Sequence, residues 1–495
     1  MTYVPATPYY GKSISQPEAV LAAYPDPDVV FGTPAFKREE GAFTTQEEMW
    51  SFLSDLNAKT KEMSLTTLGY SQEGRAIPFV YFTKDALPHS ESAKAKPTVW
   101  LQAEIHGNEP ASGESALVIA QELAEGELKS VLDEIHVVIV PRINPDGSYH
   151  FVRQVANGLD ANRDHMNLLT PETQVLHAAF QNYEAAVVID AHEYGLNAGT
   201  FQDVGAEGGY SYYDMLLLSG KNLNIPADVR LYSDYLFLEN AFSHLADAGL
   251  SSHLYFTSSR NEDGVTVNEG GTQGSIGRNA FGLKPAFSFL TESRGIGIGR
   301  ENFKRRVLGQ VITHTSILKT TATNAALVKT FIQNAREEVA NSSQPVVVQS
   351  ESVTLPNQTV FATDIETGAK TEVPVTYQSE TFARPTLERT RPDFYLLPPA
   401  YTPVANQIEN QGIEVKATQI EETFEVETFV AGEEGVVTTN KDVTFPSGSY
   451  IFSMKQSGAG ALPVLLEADS EHGVIEEGML TVPAGREIPI YRVIQ

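Results

Sequence analysis

The chain has 495 residues, of which 41% are hydrophobic and 20% charged, so it can fill a sizeable core and lacks the composition of a disordered protein. Its 35 Lys and Arg against 63 Asp and Glu give a formal net charge of −28, which disfavours nucleic acid and anionic lipid surfaces as partners. Because the chain has no cysteine, it contains no disulfide, thiol nucleophile or iron–sulfur cluster, and any metal must be bound by His, Asp or Glu.

The first 60 residues are predicted to form short helices with Pro-rich joints, as a lead-in to a first domain over residues 61–340. In that domain, apolar segments of strand length alternate with segments of helical spacing. The predicted strands are 97–105, 135–143, 185–193 and 285–293, and the predicted helices are 114–129, 172–184 and a long one from 302 to about 338. Continuous apolar strands separated by helices favour an α/β fold, with a mixed, mostly parallel sheet and helices on both faces.

After residue 340 the composition changes. Thr, Val and Glu alternate, as in EETFEVETFV (421–430), which is typical of strands that bury one face. One short helix is predicted at 403–412. The sequence therefore predicts a smaller, mainly β domain over 345–495. This region has one histidine, His472, and no cluster of metal-ligating residues, so no chemistry is assigned to it.

No apolar run approaches the roughly 20 residues that a membrane-spanning helix needs, so we expect no membrane insertion. The N-terminal segment MTYVPATPYYGKSISQPEA does not have a charged region followed by an apolar stretch, and no signal peptide is visible. The protein is therefore expected to be either cytoplasmic or the mature part of an exported protein.

Two of the eleven histidines stand out because each lies at the end of a predicted apolar strand. His106 follows strand 97–105 and precedes Glu109 by three residues, and His192 lies at the end of strand 185–193. Sites in open α/β sheets form at the carboxyl ends of strands. Two His and one carboxylate with an open fourth position is the arrangement of catalytic zinc. The sequence therefore predicts one metal site made by these three residues.

Further motifs extend this set in a definite order. They are HGNE (106–109), NPDG (144–147), Arg153, DANR (160–163), DAH (190–192) and FSFLTESRG (287–295). The ordered set resembles the pancreatic-type zinc carboxypeptidases (peptidase family M14) over roughly residues 60–330. The segments PVANQIENQGIEV and PAGREIPIYRVI resemble, more faintly, stretches that follow the catalytic domain in some bacterial members.

The resemblance implies a zinc metallocarboxypeptidase, a protease that hydrolyses the C-terminal peptide bond of peptides with one Zn2+ per chain. His106, Glu109 and His192 would bind the zinc, and Glu292 would act as general base on a zinc-bound water. The alternative for Glu292 is an ordinary strand-end carboxylate in an ion pair with Arg294.

The same resemblance implies roles for four further residues. Arg153 would stabilise the oxyanion that develops on the scissile carbonyl. Asn162 and Arg163 would bind the free C-terminal carboxylate of the peptide substrate, because a planar guanidinium matches a carboxylate with two parallel hydrogen bonds. Asp160 would orient the imidazole of a metal ligand from behind.

The segment TVNEGGTQGSIGRNAFG (266–282) departs from the family pattern, since it lacks the Tyr that vertebrate-type members carry on a loop over the substrate. Tyr255 is too far from Glu292 for spacing to assign it this place. The Gly-rich composition is typical of a mobile loop. The segment should also line the specificity pocket, where Ile276 would favour an apolar residue. Arg278 would instead recognise an acidic group, or would be a cation on a surface loop.

Two other functions stay open. An amidohydrolase of the same fold, acting on acylated amino acids or cell-wall peptides, would keep HxxE and the later His, although DANR and NPDG favour the peptidase branch. A catalytically decayed peptide- or glycan-binding protein is the other, and the intact Glu292 and ligand set argue against it. Because relatives with such accessory domains tend to be exported, the resemblance implies an extracytoplasmic (periplasmic or secreted) location.

Overall fold

A computed structural model describes residues 11–37, 42–85, 95–432 and 435–494. The N-terminal region contains two helices, α1 (Glu18–Ala23) and α2 (Gln46–Lys59), as the predicted helical lead-in requires. Parts of that lead-in, residues 1–10 and 38–41, lie outside the described residues. Within the described ranges, none of the helices combines the length and the apolar character that crossing a bilayer demands.

An eight-stranded mixed sheet forms the centre of the first 340 residues. With strands numbered along the whole chain, its members are β1 (Met63–Tyr70), β2 (Ala76–Phe82), β3 (Thr98–Ala103), β4 (His136–Val140), β5 (Val187–Gly195), β7 (Met215–Ser219), β8 (Ser252–Leu254) and β11 (Phe287–Ile296). Their spatial order is β1-β2-β4-β3-β5-β11-β7-β8. The pairs β3–β4, β3–β5, β5–β11 and β7–β8 are parallel, and the remaining pairs are antiparallel. The predicted α/β fold class is confirmed.

Helices cover both faces of this sheet. They are α3 (Pro110–Glu125), α4 (Pro145–His150), α5 (Pro171–Tyr183), α6 (Ala227–Tyr232), α7 (Glu239–Asp247), α8 (Gly277–Gly282), α9 (Phe303–Thr323) and α10 (Ala325–Asn341). Side chains of β3 alternate between the two faces, as strand geometry requires. Val99 and Leu101 pack into the core that includes α3 and α9, whereas Trp100 packs into the opposite core against Phe180 of α5. The long helix predicted from 302 is divided at Asn324, which ends α9 and begins α10.

Short helical turns connect several of these elements. The 3-10 turns are Pro34–Phe36, Glu127–Asp133, Ala161–Arg163 and Pro399–Tyr401, and a π-helical segment at Ser233–Leu238 joins α6 to α7.

A five-stranded sheet contains strands from both sides of residue 345. Its members are β6 (Gly209–Ser211), β9 (Phe256–Asn261), β10 (Gly264–Glu269), β12 (Val346–Asp364) and β13 (Lys370–Arg389), in the spatial order β6-β12-β13-β10-β9. The pair β10–β13 is parallel, with Val265 opposite Val375, and the other pairs are antiparallel. The predicted domain boundary therefore falls within a hydrogen-bonded sheet, and the division into domains stays a prediction.

The remaining strands form a six-stranded antiparallel sheet, as expected for a mainly β region. They are β14 (Phe394–Leu397), β15 (Val415–Ala417), β16 (Glu422–Gly432), β17 (Gly435–Phe445), β18 (Tyr450–Ser453) and β19 (Glu487–Val493), in the order β15-β18-β14-β19-β16-β17. Two helices accompany them, α11 (Thr402–Asn410), close to the predicted helix at 403–412, and α12 (Ala461–Leu466).

Candidate metal centre and substrate cavity

Three neighbouring parallel strands carry the candidate metal centre at one edge of the eight-stranded sheet. β3 ends at Ala103 and leads into the turn with His106 and Glu109, while β5 carries His192 opposite Glu292 of β11. Helix α3 begins directly after Glu109, whose amide donates to the carbonyl of His106 (3.3 Å). The short turn therefore brings the side chains at positions i and i+3 together, as the sequence predicts.

The NPDG turn packs directly beneath this segment. A Cβ on Gly107 would lie 1.9 Å from the carbonyl carbon of Gly147, so only glycine fits there. Asn144 accepts a hydrogen bond from the Gly147 amide (2.7 Å) and donates to the carbonyls of Ile105 (3.2 Å) and Arg153 (3.3 Å). The turn thus ties the backbone of the predicted metal ligands to the backbone at Arg153.

The side chains of His106, Glu109 and His192 are buried, and one ligand-type atom of each lies within 4.8 Å of the others. Nδ1 of His106 is 2.7 Å from Glu109 Oε1, and Nδ1 of His192 is 2.9 Å from Glu109 Oε2. The two Nδ1 atoms are 3.1 Å apart. Two imidazole nitrogens and one carboxylate therefore converge on a single point.

A carboxylate lies behind each imidazole. Nε2 of His106 is 3.1 Å from Asp160 Oδ1, and Nε2 of His192 is 3.2 Å from Asp190 Oδ2. Asp160 favours a proton on Nε2 of His106, which leaves its Nδ1 free to bind a metal. Nε2 of His192 also lies 3.3 Å from Nδ2 of Asn162, and its Nδ1 faces the same point as that of His106. The donor set of two imidazoles and a carboxylate, each imidazole held from behind, fits zinc.

The charges of the centre shift two carboxyl pKa values in opposite directions. Burial by itself raises the pKa of Glu109, but the imidazoles of His106 and His192 outweigh it and lower that pKa to about 2. Burial raises the pKa of Glu292 to about 7; the charge of Glu109 adds to this effect, and the two imidazoles with Arg153 oppose it. Glu292 is thus a buried carboxyl that holds a proton more readily than an exposed glutamate does.

A cavity of about 760 Å³ opens at these strand ends. It brings together the residues predicted to act on or bind the substrate. Among those in its lining are Arg153, Asn162, Arg163, Ile276, Arg278 and Glu292, together with His106.

Two carboxylates contact the guanidinium of Arg153. Its Nε and Nη2 donate to Asp160 Oδ2 at 3.0 and 2.9 Å, and its Nη1 lies 3.5 Å from Glu109 Oε1. Asp160 therefore contacts both a predicted ligand, His106, and the predicted oxyanion-stabilising arginine.

Asn162 and Arg163 lie at the 3-10 turn that follows Asp160. Oδ1 of Asn162 accepts a hydrogen bond from the Gly277 amide (2.9 Å), and Nη1 of Arg163 donates to the Asn162 carbonyl (2.9 Å). Arg163 is exposed, and within the described ranges no carboxylate lies within 4.0 Å of its guanidinium. Its charge is available to an anionic ligand in the cavity.

Two alternatives considered from sequence are wrong. Arg294 does not pair with Glu292: its Nε donates to the Ser211 carbonyl (2.7 Å), its Nη1 donates to Gln16 (2.9 Å), and its guanidinium lies 4.2 Å from the centre of the Tyr24 ring. The N-terminal region supplies Gln16 and Tyr24 and strand β6 supplies Ser211, and local spacing could not reveal any of these partners.

Arg278 is not a surface cation, because it is only 4% exposed. The Gly-rich segment that contains it is also more ordered in secondary structure than predicted. It begins within β10 and ends in α8, so that it is a loop only over residues 270–276.

The structure adds residues to the cavity that the sequence left unassigned. Among them are Tyr255, Glu269, Glu380 and His472. Glu380 and His472 come from the C-terminal region, to which no chemistry was assigned. The parallel pair β10–β13 brings Glu380 there, and no local motif signals a strand pairing across a hundred residues.

Comparisons with known proteins find similarity to a protein family, to individual sequences and to a solved structure. Residues 49–201 match the zinc carboxypeptidase family. Carboxypeptidase 2 of Trichophyton rubrum is 30% identical over 474 residues, which cover 91% of this chain and 86% of that protein. Carboxypeptidase E of Caenorhabditis elegans is 28% identical over 172 residues, 30% of this chain and 36% of that protein. The structure of a metallo-carboxypeptidase from Burkholderia cenocepacia is similar over 56% of this chain and 70% of that chain, with 19% identity and a TM-score of 0.43.

Proposed function

The chain belongs to the zinc carboxypeptidase family and is a hydrolase, and we propose that it binds one zinc ion through His106, Glu109 and His192 and removes the C-terminal residue of peptides. The observation that carries the proposal is the convergence of three buried ligands beside Glu292, which lies opposite His192 in the strand pair β5–β11. The cavity above this group is large enough for the end of a peptide chain.

When bound, the zinc would supply Lewis-acid activation of water and of the scissile carbonyl. Glu292 takes a proton from the attacking water at its carboxylate and passes it to the departing amine. Its buried position, which raises its pKa to about 7, suits a group that must accept and then release a proton near neutral pH.

Arg153 donates hydrogen bonds to the scissile carbonyl oxygen as negative charge develops there. Asp160 holds the guanidinium through two hydrogen bonds, so little reorganisation is needed when the reaction begins. Loss of one such donor typically costs about 3–4 kcal/mol of transition-state stabilisation.

Arg163 and Asn162 bind the free α-carboxylate of the substrate. The exposed guanidinium of Arg163 has no carboxylate partner in the described part of the chain, and its position beside Asn162 puts both groups in the cavity lining. A peptide carboxylate would supply the missing countercharge through a bidentate contact. Ile276 and Arg278 would then contact the side chain of the C-terminal residue.

The test compares a blocked dipeptide as free acid with the same dipeptide as C-terminal amide, on protein whose zinc content has been measured. We expect one zinc per chain, and a kcat/KM about 10- to 100-fold higher for the free acid, because a charge-assisted hydrogen bond contributes about 1.5–3 kcal/mol. Equal turnover of acid and amide would contradict exopeptidase action. Hydrolysis of acylated amino acids alone would favour the amidohydrolase, and zinc binding without any hydrolysis would favour a binding protein.

The extracytoplasmic location implied by the family resemblance stays a prediction. Fractionation of the natural host cells would test it, with activity expected in the periplasmic or culture fraction.

A further inference from the structure

The guanidinium of Arg278 is buried in the lining of the cavity and uses few of its donors. Both of its hydrogen bonds leave from Nη2, one to the carbonyl of Gly270 and one to the carbonyl of Gly271 (2.8 Å). The buried Nε–H has no hydrogen-bond partner among the described residues, and Nη1 donates to none of them. Three of the five donors of this side chain are therefore unused.

The charge of Arg278 also lacks a partner. Among the residues that the structure describes, no Asp or Glu carboxylate lies within 4.0 Å of this guanidinium. By contrast, the buried Arg142, Arg306 and Arg492 each pair with a glutamate. Burial lowers the pKa of Arg278 to about 10, because the effect of desolvation exceeds the opposing effects of Tyr255 and of the more distant Glu292. A buried arginine with unused donors and no ion pair is available to bind an anionic group of a ligand.

Glu269 also lines the cavity, and its carboxylate already accepts four hydrogen bonds from the chain. Oε1 of Glu269 accepts a hydrogen bond from the Tyr377 hydroxyl (2.8 Å). Its Oε2 accepts three more, each of 2.8 Å, from the Ser379 hydroxyl and the amides of Glu380 and Thr381. Glu269 therefore fastens β10 to β13, and these internal donors compete with any cationic substrate for its oxygens.

Glu380 is the competing charge, because its carboxylate lines the same cavity. It is half-buried, so water still solvates it. Burial together with the charge of Glu269 raises its pKa to about 6, although the charge of Arg278 acts in the opposite direction. Arg278 is almost fully excluded from bulk solvent. A substrate carboxylate should therefore interact more strongly with Arg278 than a substrate cation would with Glu380, because electrostatic interactions strengthen as water is removed.

The cavity lining contains two arginines that form no ion pair with a carboxylate of the described residues. Arg163 is exposed and lies beside Asn162, which suits the α-carboxylate, whereas Arg278 is buried and lies against Gly270 and Tyr255. A Cβ on Gly270 would lie 2.6 Å from Nη2 of Arg278 and 2.8 Å from Cδ1 of Tyr255, so these groups are closely packed. This packing fixes the guanidinium in one orientation before a substrate arrives.

We propose that the cavity selects peptides whose C-terminal residue has an acidic side chain, and that Arg278 binds this side-chain carboxylate. The proposal rests on the carboxypeptidase function proposed above, because it assigns the substrate class of the same cavity. The unused donors of Arg278 would form charge-assisted hydrogen bonds with an Asp or Glu side chain, which an amide or apolar side chain of similar size cannot reproduce.

The first test uses the wild-type protein and four blocked dipeptides that differ only in the last residue, which is Glu, Gln, Leu or Lys. Gln matches Glu in shape and lacks its charge. We expect kcat/KM for the Glu peptide to exceed that for the Gln peptide by at least about 10-fold, because a site built for an ionic partner rejects an analogue that leaves its own group unpaired.

The second test uses Arg278→Met, Arg278→Lys and, as matched control, Arg384→Met at an exposed position of β13. Arg278→Met should reduce the Glu-to-Gln ratio to about one, Arg278→Lys should keep part of it, and the control should retain the wild-type ratio. Zinc content and melting temperature of each variant show whether the centre and the fold are intact.

Several outcomes would overturn the proposal. They are a wild-type preference for Gln, Leu or Lys, an unchanged ratio in Arg278→Met, and an equal loss on all four peptides, which would mean that Arg278 binds the α-carboxylate. If Arg278→Met does not fold, the wild-type ratio and Arg278→Lys decide the question. Hydrolysis of none of the four peptides by zinc-loaded protein would reject the proposed function itself, and this inference with it.

Discussion

Two walls of the cavity are built in different ways. The metal wall, defined as His106, Glu109, His192 and Glu292, lies on three adjacent strand ends of the eight-stranded sheet. The recognition wall is defined as Tyr255, Glu269, Arg278, Glu380 and His472. It joins the segment 255–278 to two residues of the C-terminal region and is fastened by the hydrogen bonds of Glu269 to β13. The proposed chemistry and the proposed substrate selection therefore have separate structural supports, and substitutions should affect one without the other.

The largest effect is expected from His192→Ala in the metal wall. Removing one of three ligands should abolish zinc binding and activity together. The fold should persist, since β5 is paired on both sides, with β3 and with β11. Zinc stoichiometry, turnover and melting temperature measure these effects, and His472→Ala in the recognition wall is the matched control that should keep its zinc. One equivalent of zinc in His192→Ala would refute the ligand assignment.

Glu292→Gln should have the next largest effect. The amide keeps the shape of the side chain but cannot accept a proton, so the rate constant should fall by roughly 10²–10⁴-fold. Zinc content and melting temperature should stay near those of the wild type, because Glu292 is not among the three converging ligands. All three quantities are measured on one preparation. Near-normal turnover would rule out the role of general base.

The metal wall could be predicted from sequence for a physical reason. The strands β3, β5 and β11 are continuous apolar segments, and their polar ends meet because parallel neighbours end at the same edge of a sheet. His106 and Glu109 are also close in sequence, so that a single turn brings them together. The mixed sheet and the helices on its two faces followed from the same alternation.

The recognition wall could not be predicted in this way. Glu380 and His472 reach the cavity only through tertiary pairing, and Glu269 acquires its role from four donors more than a hundred residues away. The sequence leaves two roles open for Arg278, recognition of an acidic group and a cation on a surface loop, since burial cannot be deduced from a Gly-rich segment. The partners of Arg294 could not be predicted because they lie far away in the chain, Ser211 in β6 and Gln16 in the N-terminal region.

Glu269→Gln should perturb the recognition wall alone. An amide cannot accept at both positions, and its NH2 group would face donors of β13, so we expect a loss of about 1.5–3 kcal/mol in the free energy of unfolding. KM for a free-acid dipeptide should rise several-fold, with zinc content unchanged and kcat changed less. Glu372→Gln, at an exposed position of the same strand β13, is the matched control. A fall in zinc content would contradict the separation of the two walls.

The smallest effect concerns His314 of α9, which lies behind the metal wall against Thr291 (Nε2 to Oγ1, 3.2 Å). Burial lowers the pKa of His314 to about 3. Below pH 6.5 the unfolded chain binds a proton that the folded chain does not, so stability falls as the pH drops from 6.5 towards 3. Between pH 7.5 and pH 5, the free energy of unfolding of His314→Leu should therefore rise relative to that of the wild type, a gain of up to about 2 kcal/mol. Denaturant unfolding at both pH values measures this gain, and a difference independent of pH would contradict it.

The parallel pairing of β10 with β13 has a consequence for the order in which the working enzyme is assembled on the ribosome. Every residue of the metal wall has been synthesised once the chain reaches Glu292, whereas β13 ends at Arg389. At roughly 5–20 residues per second, that interval of about 100 residues takes about 5–20 s. During it the edge of β10 that faces β13 is unpaired, and the carboxylate of Glu269 has none of its four donors. The nascent chain thus contains all four residues of the proposed metal centre before the wall proposed to select the substrate is complete.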